Sequence, residues 1–152
     1  MTKINDKIED FELDTDQGKF YSKDHIGKNL VLFFFPKADT TGCTKESISF
    51  SNLIKNFENL NTIVVGISKD TVEKQKKFKA KYDLKCILGS DVDIKICSRF
   101  GVWVEKSMYG KKYMGIQRST FLINNEGKIQ HIWNKVKVPG HAEEVLEVVK
   151  KL

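Results

Sequence analysis

Residues 29–36 read Asn29-Leu30-Val31-Leu32-Phe33-Phe34-Phe35-Pro36. Side chains alternate between the two faces of a strand, and here both parities are apolar. That predicts a central strand covered on both faces. Pro36 ends it, because proline has no N–H to give to a ladder. Thr62-Ile63-Val64-Val65-Gly66-Ile67-Ser68 repeats the pattern as a second buried strand. Between them, Phe50, Leu53, Ile54 and Phe57 fall at i, i+3, i+4 and i+7, the stripe of an amphipathic helix. Strand, helix, strand of this size is a right-handed parallel crossover.

The flanking sequence completes a layered α/β fold. Upstream, Glu9 to Leu13 and Phe20-Tyr21 flank the polar stretch 14–19 and predict an N-terminal β-hairpin. Downstream, Asp70 stands as N-cap and Glu73 at the third position of a Lys-rich helix with Val72, Phe78 and Tyr82 on its buried side. Cys86-Ile87-Leu88 reads as a short strand, and Ile94, Cys97 and Phe100 as a helix stopped by Gly101. Ile116 to Ile123 and Lys128 to Trp133 flank Asn124-Asn125-Glu126-Gly127 as an antiparallel hairpin. Ala142, Val145, Leu146, Val149 and Leu152 put one apolar stripe on a last helix. A parallel unit, an antiparallel hairpin and a covering helix give a mixed central sheet flanked by helices. That order suits the thioredoxin-like α/β class ahead of a flavodoxin-like sheet.

The chain has 152 residues, the usual size of one domain, and shows no repeat or linker, so residues 1–152 are expected to form a single domain. The longest apolar run, Leu30 to Phe35, is six residues, far short of the ~20 of a membrane span. The N-terminus from Met1 to Lys7 has no apolar stretch of a signal peptide. A cytoplasmic, reduced setting without membrane partners is the expectation. The +6 net charge invites a nucleic-acid reading. Its densest cluster, Lys74, Lys76, Lys77, Lys79 and Lys81, lies mostly on solvated helix faces with no interleaved aromatics, so no nucleic-acid partner is expected. His25, His131 and His141 lack metal-ligand spacing with one another or with the cysteines. No glycine-rich nucleotide motif is present, so neither metal nor cofactor is expected.

Three widely spaced cysteines without a C-x-x-C must each be explained singly. Cys43 follows the buried strand and Pro36, where open α/β sheets place their ligands. Thr40 and Thr41 are suited to cap the next helix, and Gly42 lets the backbone approach a ligand. The stripe of Phe50 runs back through Ser47 and Glu46 to Cys43, which starts the inward face of the helix. A thiol there meets the positive end of the helix dipole, which favours thiolate; the competing reading is a buried structural cysteine. Arg118 stands among Ile116, Thr120 and Leu122 and needs an anion, either a structural carboxylate or the Cys43 thiolate.

Pro36-x-x-x-Thr40-x-x-Cys43 matches the active-site pattern of peroxiredoxins. FFFPKADTTGCTKE, GVWVEKSMYGKKYMGIQRSTFLIN and KVKVPGHAEEVL resemble, in register over nearly the whole chain, the bacterioferritin-comigratory or peroxiredoxin Q branch. The resemblance implies a thioredoxin fold and a thiol peroxidase that reduces hydrogen peroxide and organic hydroperoxides. It implies Cys43 as peroxidatic cysteine and Arg118 as the active-site arginine. Thr40 would orient the peroxide, Gly42 and Cys43 N–H groups would meet the developing oxyanion, and Pro36 would shield the site. Glu46 would hold the loop or Arg118, or be only a first-turn acid.

The chain departs from its relatives in recycling. The position five residues after Cys43, where many members of the branch have a resolving cysteine, is Ile48, and the stretch 76–81 has none either. Cys86 and Cys97 are the remaining intramolecular candidates, each better read as core packing. A one-cysteine cycle is therefore expected, with an external thiol such as thioredoxin, glutathione or glutaredoxin as reductant and a monomer or weak dimer as the unit. A disulfide from Cys43 to either would require the first helical turn to unwind. A sensing or holdase protein with little turnover is the alternative function.

Overall fold

The computed structural model describes residues 3–152, so Met1 and Thr2 of the N-terminal reading lie outside the described residues. The core strand β3 spans Asn29–Phe34 and pairs in parallel with β4, Thr62–Ser68, from Asn29↔Thr62 to Phe34↔Ile67. Phe35 N–H adds one more bond to Ile67 O before Pro36 ends the ladder. β5 (Ile87–Ser90) lies parallel on the far side of β4. β8 (Ser119–Ile123) and β9 (Ile129–Trp133) extend the sheet antiparallel beyond β3. β1 (Glu12–Thr15) and β2 (Gly18–Tyr21), the expected N-terminal hairpin, close the other edge. The seven-stranded order is β2-β1-β5-β4-β3-β8-β9. Its antiparallel members set it apart from a flavodoxin-like sheet.

Alternation along β3 divides the core. Leu30, Leu32 and Phe34 join Phe11, Phe20, Cys97, Phe100 and Phe121 on one face. Val31, Phe33 and Phe35 join Cys43, Phe50, Phe57, Phe78, Cys86 and Val145 on the other. Helices α1 (Thr41–Asn52), α2 (Ile54–Asn59), α3 (Val72–Tyr82) and α5 (His141–Lys150) supply the second face, and the short α4 (Lys95–Arg99) packs on the first.

Several boundaries differ from expectation for local reasons. The polar stretch 14–19 zips into the hairpin, leaving only Asp16 and Gln17 as the turn; Gly18 supplies φ 97°. The helix expected through Phe57 breaks at Leu53, whose φ −103° and ψ 7° leave the helical basin, so α1 and α2 are separate. Thr71, not Asp70, caps α3, its hydroxyl accepting from Lys74 N. Val72 and Tyr82 are only half-buried, and Gln75 joins Phe78 on the inner side. Cys86 precedes β5 instead of starting it. Ile94 adopts a left-handed conformation before α4 and so lies outside the helix.

Residues 116–123 are not one strand. β6 (Trp103–Met108) and β7 (Lys111–Ile116) form a separate two-stranded sheet, and Gln117-Arg118 link it to β8. Leu152 lies past the end of α5 and is half exposed, so the inner stripe of that helix ends at Val149. Among the described residues no helix is long and apolar enough to cross a membrane.

Candidate active site

Cys43 lies in the first turn of α1, which begins beyond the C-terminal end of β3. Thr44 N–H makes the first intrahelical bond, to Thr40 O at 2.9 Å. The Gly42 and Cys43 N–H groups precede that bond and are free to face an anion. The predicted inward stripe is present: Cys43, Glu46, Ser47 and Phe50 are all buried. Burial follows from their spacing, since positions three and four apart share a helix face.

Arg118 sits in the link between β7 and β8, not within a strand as expected. Its backbone O accepts from Val136 N at 2.9 Å, and the neighbouring Gln117 N–H binds Val102 O at 2.8 Å, so the link is held from two sides. From there Nη2 donates to Cys43 Sγ at 3.3 Å and Nη1 to Glu46 Oε1 at 2.6 Å. Both anions considered for this arginine are therefore engaged, because a guanidinium carries several donors in a planar fork. Gly42 makes room for it: a Cβ there would stand 3.1 Å from Nη2.

The charges are strongly coupled. Burial pushes Glu46 up to about 7 against the pull of Arg118, and its Oε2 is buried without a hydrogen-bond partner. Burial opposes the charge of Arg118, yet Glu46 and Cys43 together hold it above its ordinary value. Lys106 on β6 is a further cation within electrostatic reach of Arg118 and Cys43; burial and then Arg118 lower it. Sequence patterning missed Lys106, which stands in a largely exposed hairpin with no core period.

Thr40 is the N-cap by position, but its hydroxyl caps nothing. It donates to Lys37 O at 2.8 Å, which leaves its lone pairs open as acceptors. Pro36 is half-buried beside the loop. Asp70, expected as a cap, accepts from Ala38 N at 2.7 Å and from Ser68 Oγ at 2.6 Å. It thereby ties the loop before Cys43 to the end of β4. Asp39, at φ 62°, reaches Lys81 and Tyr82 on α3. Neither tie is visible in local spacing, because the partners are about thirty to forty residues apart.

The other two thiols are placed differently. Cys97 belongs to the core on the opposite sheet face from Cys43. Burial and then Asp91 raise it far above the usual thiol range. Cys86 shares the face of Cys43 but lies 3.7 Å from Ser51 Oγ. Ser51 is eight residues along α1 from Cys43, about 12 Å at 1.5 Å per residue. Burial pushes the Cys86 thiol up to about 11. Both are thus protonated at neutral pH and poor nucleophiles. Ile48 packs against the core at the position five residues past Cys43. His141 is buried, shares a 2.7 Å hydrogen bond with Thr120, and is pushed down to about 4 by burial. His131 packs on Trp133 with ring centroids 4.0 Å apart.

The chain resembles known proteins over nearly its full length. The AhpC/TSA family matches residues 4–132. Peroxiredoxin Bcp of Bacillus subtilis is 42% identical, covering 99% of this chain and 96% of the relative. Peroxiredoxin Bcp of Escherichia coli is 37% identical over 98% and 96%. Among solved structures, a Xylella fastidiosa PrxQ variant superposes with TM-score 0.95 at 38% identity, covering 99% of this chain and 97% of that one. Xanthomonas campestris bacterioferritin comigratory protein, solved in a study of its alkyl peroxide reduction activity, superposes with TM-score 0.88 at 39% identity over 93% and 90%.

Proposed function

The chain belongs to the AhpC/TSA family, and from that membership we propose that Cys43 is the peroxidatic cysteine of a one-cysteine catalytic cycle. The protein is a thiol-dependent peroxidase on a thioredoxin-like fold, taking a hydroperoxide and a thiol reductant. A sensing or holdase role with little turnover is not favoured beside relatives named as peroxiredoxins. The observation that carries the assignment of Cys43 is the 3.3 Å bond from Arg118 to its sulfur at a helix start.

In this reading the Cys43 thiolate, stabilised by Arg118 and the first-turn N–H groups, attacks one peroxide oxygen. An S–O bond forms, the O–O bond breaks, and the departing oxygen leaves as water or an alcohol after taking a proton. Cys43 is oxidised to sulfenic acid as the peroxide is reduced. Thr40 accepts the peroxide O–H with the lone pairs its bond to Lys37 O leaves free, and Gly42 and Cys43 N–H groups meet the developing negative charge. Pro36 shields the loop, Gly42 admits the guanidinium, and Glu46 orients Arg118.

An external thiol then attacks the sulfenic sulfur and water leaves. A second thiol releases Cys43 and carries the oxidation away as a disulfide. Thioredoxin, glutathione and glutaredoxin all supply that chemistry. Cys86 and Cys97 act as core residues: one lies beside Ser51, two turns along α1 from Cys43, the other across the sheet. Hydrogen peroxide and organic, including alkyl, hydroperoxides are the proposed substrates. The proposed working unit is one domain spanning residues 1–152, a monomer or weak dimer, because Cys43, Arg118 and Glu46 all come from one chain. Three unpaired buried thiols support a cytoplasmic location.

Peroxide consumption with a thiol reductant tests the assignment. Cys43→Ser is expected to abolish turnover and Cys97→Ser to retain it; full turnover by Cys43→Ser would refute the assignment.

A further inference from the structure

Cys43 is only 1% exposed, so a thiol larger than a peroxide reaches its sulfur only when the loop before α1 moves aside. Two ties restrain that loop. The inner one runs from half-buried Ala38 and Asp70 to buried Ser68 and Gln75. Asp70 Oδ2 accepts from Ala38 N and Ser68 Oγ, and Gln75 Nε2 in turn donates to Ser68 Oγ at 2.9 Å and Gly89 O at 2.8 Å. This tie anchors the loop base to the sheet.

The outer tie differs in kind. Asp39 is the residue immediately before the N-cap of the Cys43 helix, and its φ of 62° turns the chain into that cap. Asp tolerates this left-handed conformation better than most residues. Its carboxylate accepts from Tyr82 Oη at 2.5 Å and from Lys81 Nζ at 2.9 and 3.3 Å. Both donors lie at the C-terminal end of α3. The hydrogen bonds from Tyr82 and Lys81 hold Asp39 below the usual carboxylate range, so the tie is charged at neutral pH. It is also exposed, where single charge contacts are weak and screened by salt. On its inner side the helix start is held by Arg118 through Cys43 and Glu46; on the outer side the Thr40 hydroxyl turns back to Lys37 and the first turn has no acidic residue, which leaves Asp39 as the link to α3.

We propose that Asp39, gripped by Lys81 and Tyr82, is a positioning residue that holds the Cys43 loop closed for peroxide attack and, on release, opens Cys43 to the reducing thiol. The inference rests on the one-cysteine cycle above. The inner tie keeps the loop base fixed while the outer tie sets how often its Cys43 end opens. Breaking the outer tie raises the open fraction, which speeds reduction of the sulfenic acid in proportion. It brings no gain to oxidation, which needs the closed site.

Two half-reactions, followed separately by rapid mixing, test this. The first is oxidation of the reduced protein by hydrogen peroxide. The second is reduction of preformed Cys43 sulfenic acid by dithiothreitol, an uncharged thiol at neutral pH. Asp39→Asn and Tyr82→Phe are both expected to speed reduction, by about two- to fivefold for Asp39→Asn and less for Tyr82→Phe, without speeding oxidation. Raising salt from about 0.05 to about 0.5 M speeds reduction of the wild type and leaves Asp39→Asn unchanged, because the ion pair to be screened is gone. A residue that merely stabilised the fold would give no such loss of salt dependence. Reduction rates that do not rise in either variant, or a salt response that survives Asp39→Asn, would overturn the proposal. Failure of peroxide to oxidise wild-type Cys43 would instead overturn the reading on which it rests.

Discussion

At the scale of residues, the site is one guanidinium shared between two groups. Arg118 spends one nitrogen on the Cys43 sulfur and another on Glu46, a division that lysine cannot reproduce with a single nitrogen. Arg118→Lys is therefore expected to slow Cys43 oxidation about tenfold or more, read by rapid mixing with peroxide. Glu46 offers a test in stability. Its proton affinity is raised from 4.5 to about 7 in the fold, so the native state holds that proton more tightly than the unfolded chain. The resulting stabilisation is complete below about pH 4.5 and is lost as pH rises towards 7. Relative to Glu46→Gln, the wild type should lose up to about 3 kcal/mol across that interval, read from urea unfolding at each pH. The difference from the variant matters, because His141, pushed down to about 4, contributes with the opposite slope in an overlapping range. The stripe from Cys43 through Glu46 to Phe50 was legible because helix spacing alone places it. The double engagement of Arg118 was not, since spacing offers each anion singly.

At the scale of elements, β3, β4 and α5 were legible because each carries a sustained period of one kind. The β6–β7 sheet was not: its residues are mostly exposed or half-buried, so no core period marks them. That omission moved Arg118 into a strand, whereas it occupies the crossing between two sheets. The Leu53 break was equally hidden, since Leu53 and Ile54 both still pack on the core as a continuous helix would require. Gly66 shows how closely the central strands fit. A Cβ there would come within 2.5 Å of the Phe33 ring, which is fully buried and stacked on Phe50 at 4.5 Å. Gly66→Ala is expected to destabilise the protein by about 1–3 kcal/mol, read as a lower urea midpoint.

At the scale of the molecule, the sheet sets where the three thiols stand. It separates Cys97 from Cys43 by a full layer, and the length of α1 separates Cys86. Sequence spacing did not show these placements, because it cannot say which sheet face a distant residue joins. The double variant Cys86→Ala/Cys97→Ala is expected to keep peroxide turnover within about threefold of the wild type, allowing for cavity effects on packing. The most direct measurement is mass spectrometry of the reduced protein after one equivalent of hydrogen peroxide. A gain of one oxygen located at Cys43, trapped as the sulfenic acid, is the predicted result. A loss of two hydrogens mapped to Cys43 paired with Cys86 or Cys97 would contradict it.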